Sequence, residues 1–74
     1  MNKIDFTAII EESQDGWFVG QILEMPEVIS QGRTLDELQD NLMDALNLVI
    51  ESHRDRTSRL YEGRKIIRKP LNIA

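Results

Sequence analysis

The N-terminal part of the chain alternates between apolar and polar side chains, which is the pattern of a half-buried β-strand. Over residues 3–12 one face carries the apolar side chains Ile4, Phe6, Ala8 and Ile10. A second segment, residues 17–23, is rich in aromatic and β-branched side chains and follows the turn-forming pair Asp15-Gly16. We therefore predict a β-hairpin.

A short third strand is predicted over residues 28–31. Pro26 precedes it and has no N–H to donate, which indicates a loop or a sheet edge after the hairpin. Gly32 ends this strand.

An amphipathic helix is predicted over residues 35–53. Thr34 is a favourable N-cap, and Glu37 stands three residues later, as a capping box requires. Apolar side chains recur at spacings of three and four, at Leu35, Leu38, Leu42, Ala45, Leu46 and Val49. The opposite side is polar, with Asp36, Gln39, Asp40, Asp44 and Asn47.

The C-terminal part is expected to end in a further strand. Residues 54–63 are polar and end at Gly63, so we expect at most one more helical turn and then a loop. Residues 65–73 alternate again, and Pro70 places this strand at a sheet edge or delays its start. The predicted fold is α+β, in the order β-β-β-α-β. A three-stranded antiparallel sheet carries one helix packed on one face, and a fourth strand is added late.

The length of 74 residues fits a single domain, residues 1–74, with a core over residues 3–53 and a basic tail over residues 54–74. So small a domain is marginally stable alone, and without Cys it has no disulfide to add stability. We therefore expect a homodimer or a larger homo-oligomer. No signal peptide or membrane span is recognisable, so a cytoplasmic protein is expected.

Charge is distributed unevenly along the chain. Residues 1–51 contain eleven acidic and two basic side chains, whereas residues 52–74 contain two acidic and seven basic ones. An acidic body repels nucleic acid and attracts basic partners over a distance. The basic run over residues 64–69 lacks interleaved aromatic side chains, so we favour a charged edge strand, or pairing with an acidic subunit, over contact with nucleic acid.

Several segments together resemble the HicB family of antitoxins. They are Asp15-Gly16-Trp17-Phe18-Val19, Glu24-Met25-Pro26, Ile29-Ser30-Gln31-Gly32 and Thr34-Leu35-Asp36-Glu37-Leu38, followed by Leu42 and Ala45-Leu46. The likeness covers residues 3–51. It implies a truncated ribonuclease-H-like fold, usually dimeric or larger.

The same resemblance implies a function. HicB proteins are antitoxins of type II toxin–antitoxin systems, and they bind and occlude a HicA-like toxin, a small basic ribonuclease that cleaves mRNA with a catalytic His. Many members carry a second, DNA-binding domain, which we do not expect here. The chain departs from the family at Leu23, where many members have Pro, and at Glu27-Val28, where many have Gly-Cys. Glu27 must then tolerate backbone angles that glycine adopts freely.

Catalysis is not expected. Ribonuclease-H chemistry needs carboxylates that converge on two metal ions, whereas Asp36, Asp40 and Asp44 lie on the solvent side of the predicted helix. His53 has no second His or Cys to complete a metal site. We predict no enzyme activity, cofactor or metal. A degenerate nuclease whose activity depends on Asp5 is a further, less favoured hypothesis.

The candidate partner-binding residues are exposed acids and one aromatic. They are Trp17, Glu24, Glu27, Asp36 and Asp40. Trp17 and Phe18 are adjacent on a strand, so one faces the core and the other faces outward, where an aromatic can anchor an interface. The alternative to a toxin-binding antitoxin is an orphan HicB-like domain, acting as an oligomeric scaffold or a small-ligand-binding module.

Overall fold

Three strands and one helix make up the computed structural model, which describes residues 6–71. The elements are β1 (Ala8–Glu12), β2 (Phe18–Ile22), β3 (Ile29–Gly32) and α1 (Leu35–Leu60). The strands form one antiparallel sheet in the order β1-β2-β3. The α+β class and the sequence β-β-β-α are confirmed. The first strand begins at Ala8, and residues 3–5 of its predicted span lie outside the described residues.

The hairpin between β1 and β2 forms where the turn residues predict it. Glu12 lies opposite Phe18, and Ala8 lies opposite Ile22. The Asp15 carboxylate accepts hydrogen bonds from the Ser13 hydroxyl and the Trp17 N–H. Gly16 has a φ of 89°, a left-handed conformation that glycine adopts without steric cost. The turn therefore fixes the register of the two strands.

The predicted capping box at the start of α1 is present in part. The Thr34 hydroxyl accepts a hydrogen bond from the Glu37 N–H at 3.0 Å. The Glu37 carboxylate accepts one in return from the Arg33 N–H at 2.6 Å. The first contact satisfies a backbone donor that the helix start leaves free, whereas the second binds the N–H of the residue before the N-cap and not that of the N-cap itself. Together they fix where α1 leaves β3.

The core lies between α1 and the strands β2 and β3. Its buried side chains are Ile22, Val28, Leu38, Leu42 and Leu46. Glycine lets the helix come close: a Cβ placed on Gly32 would stand 2.5 Å from the Leu38 backbone nitrogen. A Cβ on Gly20 would meet the methyl groups of Leu42 and Leu38. The helix is therefore centred over the β2–β3 half of the sheet.

As a result, β1 is exposed on both faces. The alternation of residues 3–12 predicted a half-buried strand, but Ile10, on the helix side, is 44% exposed, and Ile9, on the opposite side, is 51% exposed. The prediction of a strand is confirmed and the prediction of its burial is wrong, because the helix packs on β2 and β3 and leaves β1 uncovered.

The helix is longer than predicted. It continues through Leu60 instead of ending near His53, so His53 lies within it and not at its C-terminus. Residues 54–60 contain no glycine or proline, and the turn that ends the helix includes Gly63, whose φ is 77°. All residues from 51 to 71 are exposed. The second half of α1 therefore projects beyond the core.

The C-terminal segment, residues 64–71, forms no strand, contrary to the prediction of a fourth strand; residues 72–74 of that prediction lie outside the described residues. The segment folds back beside the end of α1, where the Arg68 guanidinium donates to the Ser58 hydroxyl at 3.1 Å. Ile67 and Leu71 are 89% and 91% exposed. A strand needs an edge to pair with, and the end of a helix offers none.

The resulting shape is elongated. The radius of gyration is 16.1 Å and the principal extents are 54 × 29 × 16 Å. A compact domain of this length has a radius of gyration of about 11 Å. The chain thus leaves much more surface uncovered than a domain that packs all its elements together.

Candidate functional site

The five predicted contact residues lie towards two opposite ends of the sheet. The start of α1 lies against Gly32, which pairs with Phe18, so Asp36 is at the same end of the sheet as Trp17. Glu24 and Glu27 belong to the β2–β3 loop at the opposite end, where Glu27 contacts His53. Eighteen residues of helix separate Leu35 from His53, which is about 27 Å. The residues therefore do not form one continuous patch.

Trp17 faces away from the helix and is half-buried. Phe18, the next residue, packs against the core, so the prediction that the two aromatics face opposite ways is confirmed. The Arg33 guanidinium lies 4.8 Å from the centre of the Trp17 ring. This cation–π contact covers part of the ring and places a positive charge on an otherwise acidic body.

Glu24 has a structural contact. Its carboxylate accepts a hydrogen bond from the Thr7 N–H at 2.7 Å, which joins the β2–β3 loop to the chain just before β1. That hydrogen bond to the charged form holds the pKa of Glu24 below its ordinary value. The Ser13 hydroxyl, followed by the Trp17 N–H, lowers the pKa of Asp15 in the same way.

Glu27 links the β2–β3 loop to the helix. Its carboxylate lies 3.5 Å from the His53 Nε2, and both side chains are about half exposed. The next residue, Val28, is fully buried in the core. No non-glycine residue among residues 6–71 has a positive φ, so the expectation that Glu27 must adopt a backbone conformation typical of glycine is wrong.

Asp36 and Asp40 lie on the solvent side of α1, and both are exposed. Asp44 continues the row at the same spacing of four residues. Within residues 6–71, no three His, Asp or Glu side chains are grouped closely enough to hold a metal ion. The helix in this part of the chain also lacks the apolar length needed to cross a membrane.

An apolar patch on the outer face of the sheet was not among the predicted contact residues. The patch consists of Ile9, Val19, Leu23 and Ile29, all exposed. The strand register places these side chains on the side opposite α1. The sequence does contain a signal for this patch. The apolar side chains of β2 lie on both faces of the strand, and the outward positions of β1 and β3 carry isoleucine.

The two edges of the sheet differ. Ser13 and Leu23 bond across the hairpin through the carbonyls of Trp17 and Thr7, so the odd-numbered positions of β1 bond to β2. The N–H and C=O groups of Ala8, Ile10 and Glu12 therefore point away from the sheet.

At the β3 edge, side chains of α1 form hydrogen bonds with backbone groups. The Asn41 amide donates to the Gln31 carbonyl at 2.8 Å, and the Glu37 carboxylate takes the Arg33 N–H. Within the described residues, β1 is thus the more open edge of the sheet.

Comparison with known proteins identifies relatives of similar size. The UPF0150 protein ssr1258 of Synechocystis sp. is 37% identical over 51 residues, which cover 69% of this chain and 74% of that protein. A UPF0150 protein of Archaeoglobus fulgidus is 33% identical over 46 residues, or 62% of this chain and 67% of the relative. A second Synechocystis protein, UPF0150 protein ssl0738, is 37% identical over 49 residues, or 66% and 68% of the two chains.

No protein-family profile matches the chain. No solved structure matches it either. The three relatives carry the same family name, and each is covered over two thirds or more of its length. The chain therefore belongs to the UPF0150 family.

Proposed function

We propose that this protein is a HicB-type antitoxin that binds and occludes a HicA-like mRNA-cleaving toxin. The observation that carries the proposal is the exposed acidic row on α1, Asp36, Asp40 and Asp44. It lies on a body, residues 1–51, that has eleven acidic and two basic side chains. A ribonuclease must bind RNA phosphates and therefore presents a basic surface. An acidic inhibitor is attracted to that surface from a distance and competes with RNA for it.

The fold supports this proposal. A HicB domain is expected to contain three antiparallel strands followed by one helix, and residues 8–60 have this arrangement. The proposal treats the domain as a truncated ribonuclease-H-like fold whose fourth strand forms only in an assembly. It assigns the chain no catalysis of its own, because the row of acids points into solvent and not toward a shared centre.

Binding is proposed to have two components. The acidic row of α1 accelerates the encounter with a basic toxin, and this contribution weakens as salt is added. Apolar contact then slows dissociation, and the outer patch of Ile9, Val19, Leu23 and Ile29 offers exposed apolar surface for it. The proposal gives Glu24 a smaller share of the contact, because the Thr7 N–H already binds one of its carboxylate oxygens.

The alternative is an orphan HicB-like domain that acts as an oligomeric scaffold or a small-ligand-binding module. The elongated shape and the uncovered strand β1 favour it, since both are typical of a chain that completes its fold by association. The two proposals differ in whether a basic protein partner exists.

The test is to co-express the chain with a small basic protein encoded beside its gene and to measure the mass by light scattering. A stable complex of the two proteins supports the antitoxin. A homo-oligomer that excludes the neighbour, or the lack of any such neighbour, supports the orphan module and overturns the antitoxin.

The steering step has its own test with a matched control. Asp36→Lys with Asp40→Lys reverses two charges on the acidic row, whereas Asp55→Lys with Glu62→Lys makes the same charge change in the basic half of the chain. The first pair should slow association with the toxin at low salt much more than the second. Equal association rates would show that the acidic row does not steer the encounter.

A further inference from the structure

The open edge of β1 and the C-terminal segment have complementary sequences. Residues 9–12 of β1 read Ile-Ile-Glu-Glu, and residues 64–67 read Arg-Lys-Ile-Ile. Run in opposite directions, two isoleucines face two isoleucines, and two acids face two bases. Both segments are exposed in the isolated chain. Within the described residues, no strand pairs with the outer edge of β1, and residues 64–67 pair with no strand.

We propose that two copies of this chain exchange their C-terminal segments, so that each segment forms an antiparallel strand along β1 of the other copy. The proposed register places Ile67 opposite Ile9 and Ile66 opposite Ile10. Lys65 then lies opposite Glu11, and Arg64 opposite Glu12. Directly opposite side chains share a face of the sheet. Ile67 therefore extends the outer apolar patch, and Ile66 covers the helix-facing side of β1.

The backbone of β1 fits this register. Ala8, Ile10 and Glu12 direct their N–H and C=O groups outward, and in an antiparallel ladder they bond to the residues directly opposite, Arg68, Ile66 and Arg64. All of these have an N–H to donate. Pro70 would be the next bonding position, opposite Phe6, and its missing N–H ends the ladder there.

A parallel arrangement fits less well. It can also place isoleucines and opposite charges together, with Arg68 beside Glu11. In this parallel register Lys69 lies beside Glu12. The Glu12 carbonyl would then take its hydrogen bond from the next residue, Pro70, which has no N–H. One ladder bond is then lost, and parallel pairing is already less stable per residue than antiparallel pairing.

Geometry indicates that the segment comes from another copy. α1 runs opposite to β1, because β1 ends opposite Phe18 and α1 begins beside Gly32, which pairs with Phe18. A segment that folds back along its own helix therefore runs parallel to its own β1. The segment also lies too far along the helix: Arg68 contacts Ser58, about 7.5 Å beyond the His53 that marks the end of the sheet.

Pairing of β1 with β1 of a second copy is less favourable. In the antiparallel register centred on Ile10, Glu11 lies opposite Ile9 and Glu12 lies opposite Ala8, so no base on either strand compensates the four acidic side chains brought into one sheet. Exchange of the basic segments instead brings opposite charges together on an acidic body.

Cross-linking between two different full-length chains tests the register directly. The chain has no cysteine, so Glu11→Cys and Lys65→Cys can each be introduced alone and the two variants mixed under oxidising conditions. The proposed register brings these positions into a pair about 4.5 Å apart between Cα atoms, which a disulfide spans. A disulfide-linked heterodimer is expected. Its absence overturns the proposal, as does preferential cross-linking of Glu11→Cys with Arg68→Cys, the parallel neighbour.

Reversing the charges of β1 in one variant and of the C-terminal segment in another tests whether the partner is a second copy of the chain. Glu11→Lys with Glu12→Lys makes both interacting pieces basic, and Arg64→Glu with Lys65→Glu makes both acidic. Light scattering should give wild type twice the chain mass of 8.6 kDa, each variant alone the single mass, and their mixture the double mass again.

The control is Asp40→Lys with Asp44→Lys, which makes the same charge change on the solvent side of α1 and should remain dimeric. Circular dichroism checks that every variant is folded. A monomeric wild type, or a mixture that stays monomeric while both variants are folded, overturns the proposal.

Discussion

The close approach of α1 to β3 makes Gly32 a sensitive position. In Gly32→Ala the new Cβ would stand 2.5 Å from the Leu38 backbone nitrogen and 2.9 Å from its Cα. Backbone atoms cannot rotate away, so the start of α1 must shift from the sheet. We expect the free energy of unfolding to fall by about 2–3 kcal/mol, the upper range for overpacking a core. A chain of this length has a total of roughly 4–11 kcal/mol to lose.

Gly20→Ala is the matched control. Its Cβ would come within 2.9 Å of a Leu42 methyl carbon, but a side-chain end can move by rotation. Alanine restricts the unfolded chain in both variants, which returns about 0.4–1 kcal/mol in each and does not separate them. We therefore expect Gly20→Ala to cost less than half as much as Gly32→Ala.

Urea unfolding, followed by circular dichroism at one protein concentration, measures both variants. With a slope of about 1 kcal/mol per molar urea, the midpoint of Gly32→Ala should lie about 2–3 M below that of wild type. Equal midpoints for the two variants, or a lower midpoint for Gly20→Ala, would refute the distinction between backbone and side-chain neighbours.

Three further predictions concern single contacts. Thr34→Ala removes the cap of α1 and should lower the free energy of unfolding by about 1 kcal/mol, whereas Thr34→Ser should not. Because the folded state lowers the pKa of Glu24, the stability it contributes is present above the ordinary pKa of a glutamate and is lost as pH falls through the lowered value. Glu24→Gln should therefore make unfolding less dependent on pH in this range, as urea midpoints measured at successive pH values will report. Arg33→Ala uncovers the Trp17 ring, so acrylamide should quench its fluorescence more strongly, while Arg33→Lys should retain part of the protection.

Local signals predicted the start of the helix but not its end. Thr34 and Glu37 act on neighbouring backbone groups, so the four residues from Thr34 to Glu37 are enough to locate the cap. The apolar stripe ends at Val49, which predicts a helix end near His53. The helix continues because helix formation depends on the absence of a breaker as well as on packing, and the first glycine after the core is Gly63.

Long-range packing explains the other differences. The alternation in β1 correctly predicts a strand, but burial of Ile10 depends on where the helix crosses the sheet. That position is set by Gly20 and Gly32, which lie on β2 and β3. The alternation in the C-terminal segment likewise indicates an extended chain, whereas strand formation depends on an edge that only another element can offer.

The candidate contact residues were predicted from their charge and expected exposure, which can be inferred from sequence. Their positions relative to one another in the fold cannot be inferred in this way. Asp36 and Asp40 are exposed as expected. Glu24 and Glu27 instead hold the β2–β3 loop through Thr7 and His53.

The contact between Asn41 and the Gln31 carbonyl limits how this sheet can grow. A chain with isoleucine on the outward face of its strands could stack edge to edge into fibrils if both of its edges were bare. Here an incoming strand at β3 must first displace the side chains of Asn41 and Glu37 from the backbone. The sheet therefore adds a strand more readily at β1 than at β3, and an assembly that fills the β1 edge removes the more open template for aggregation.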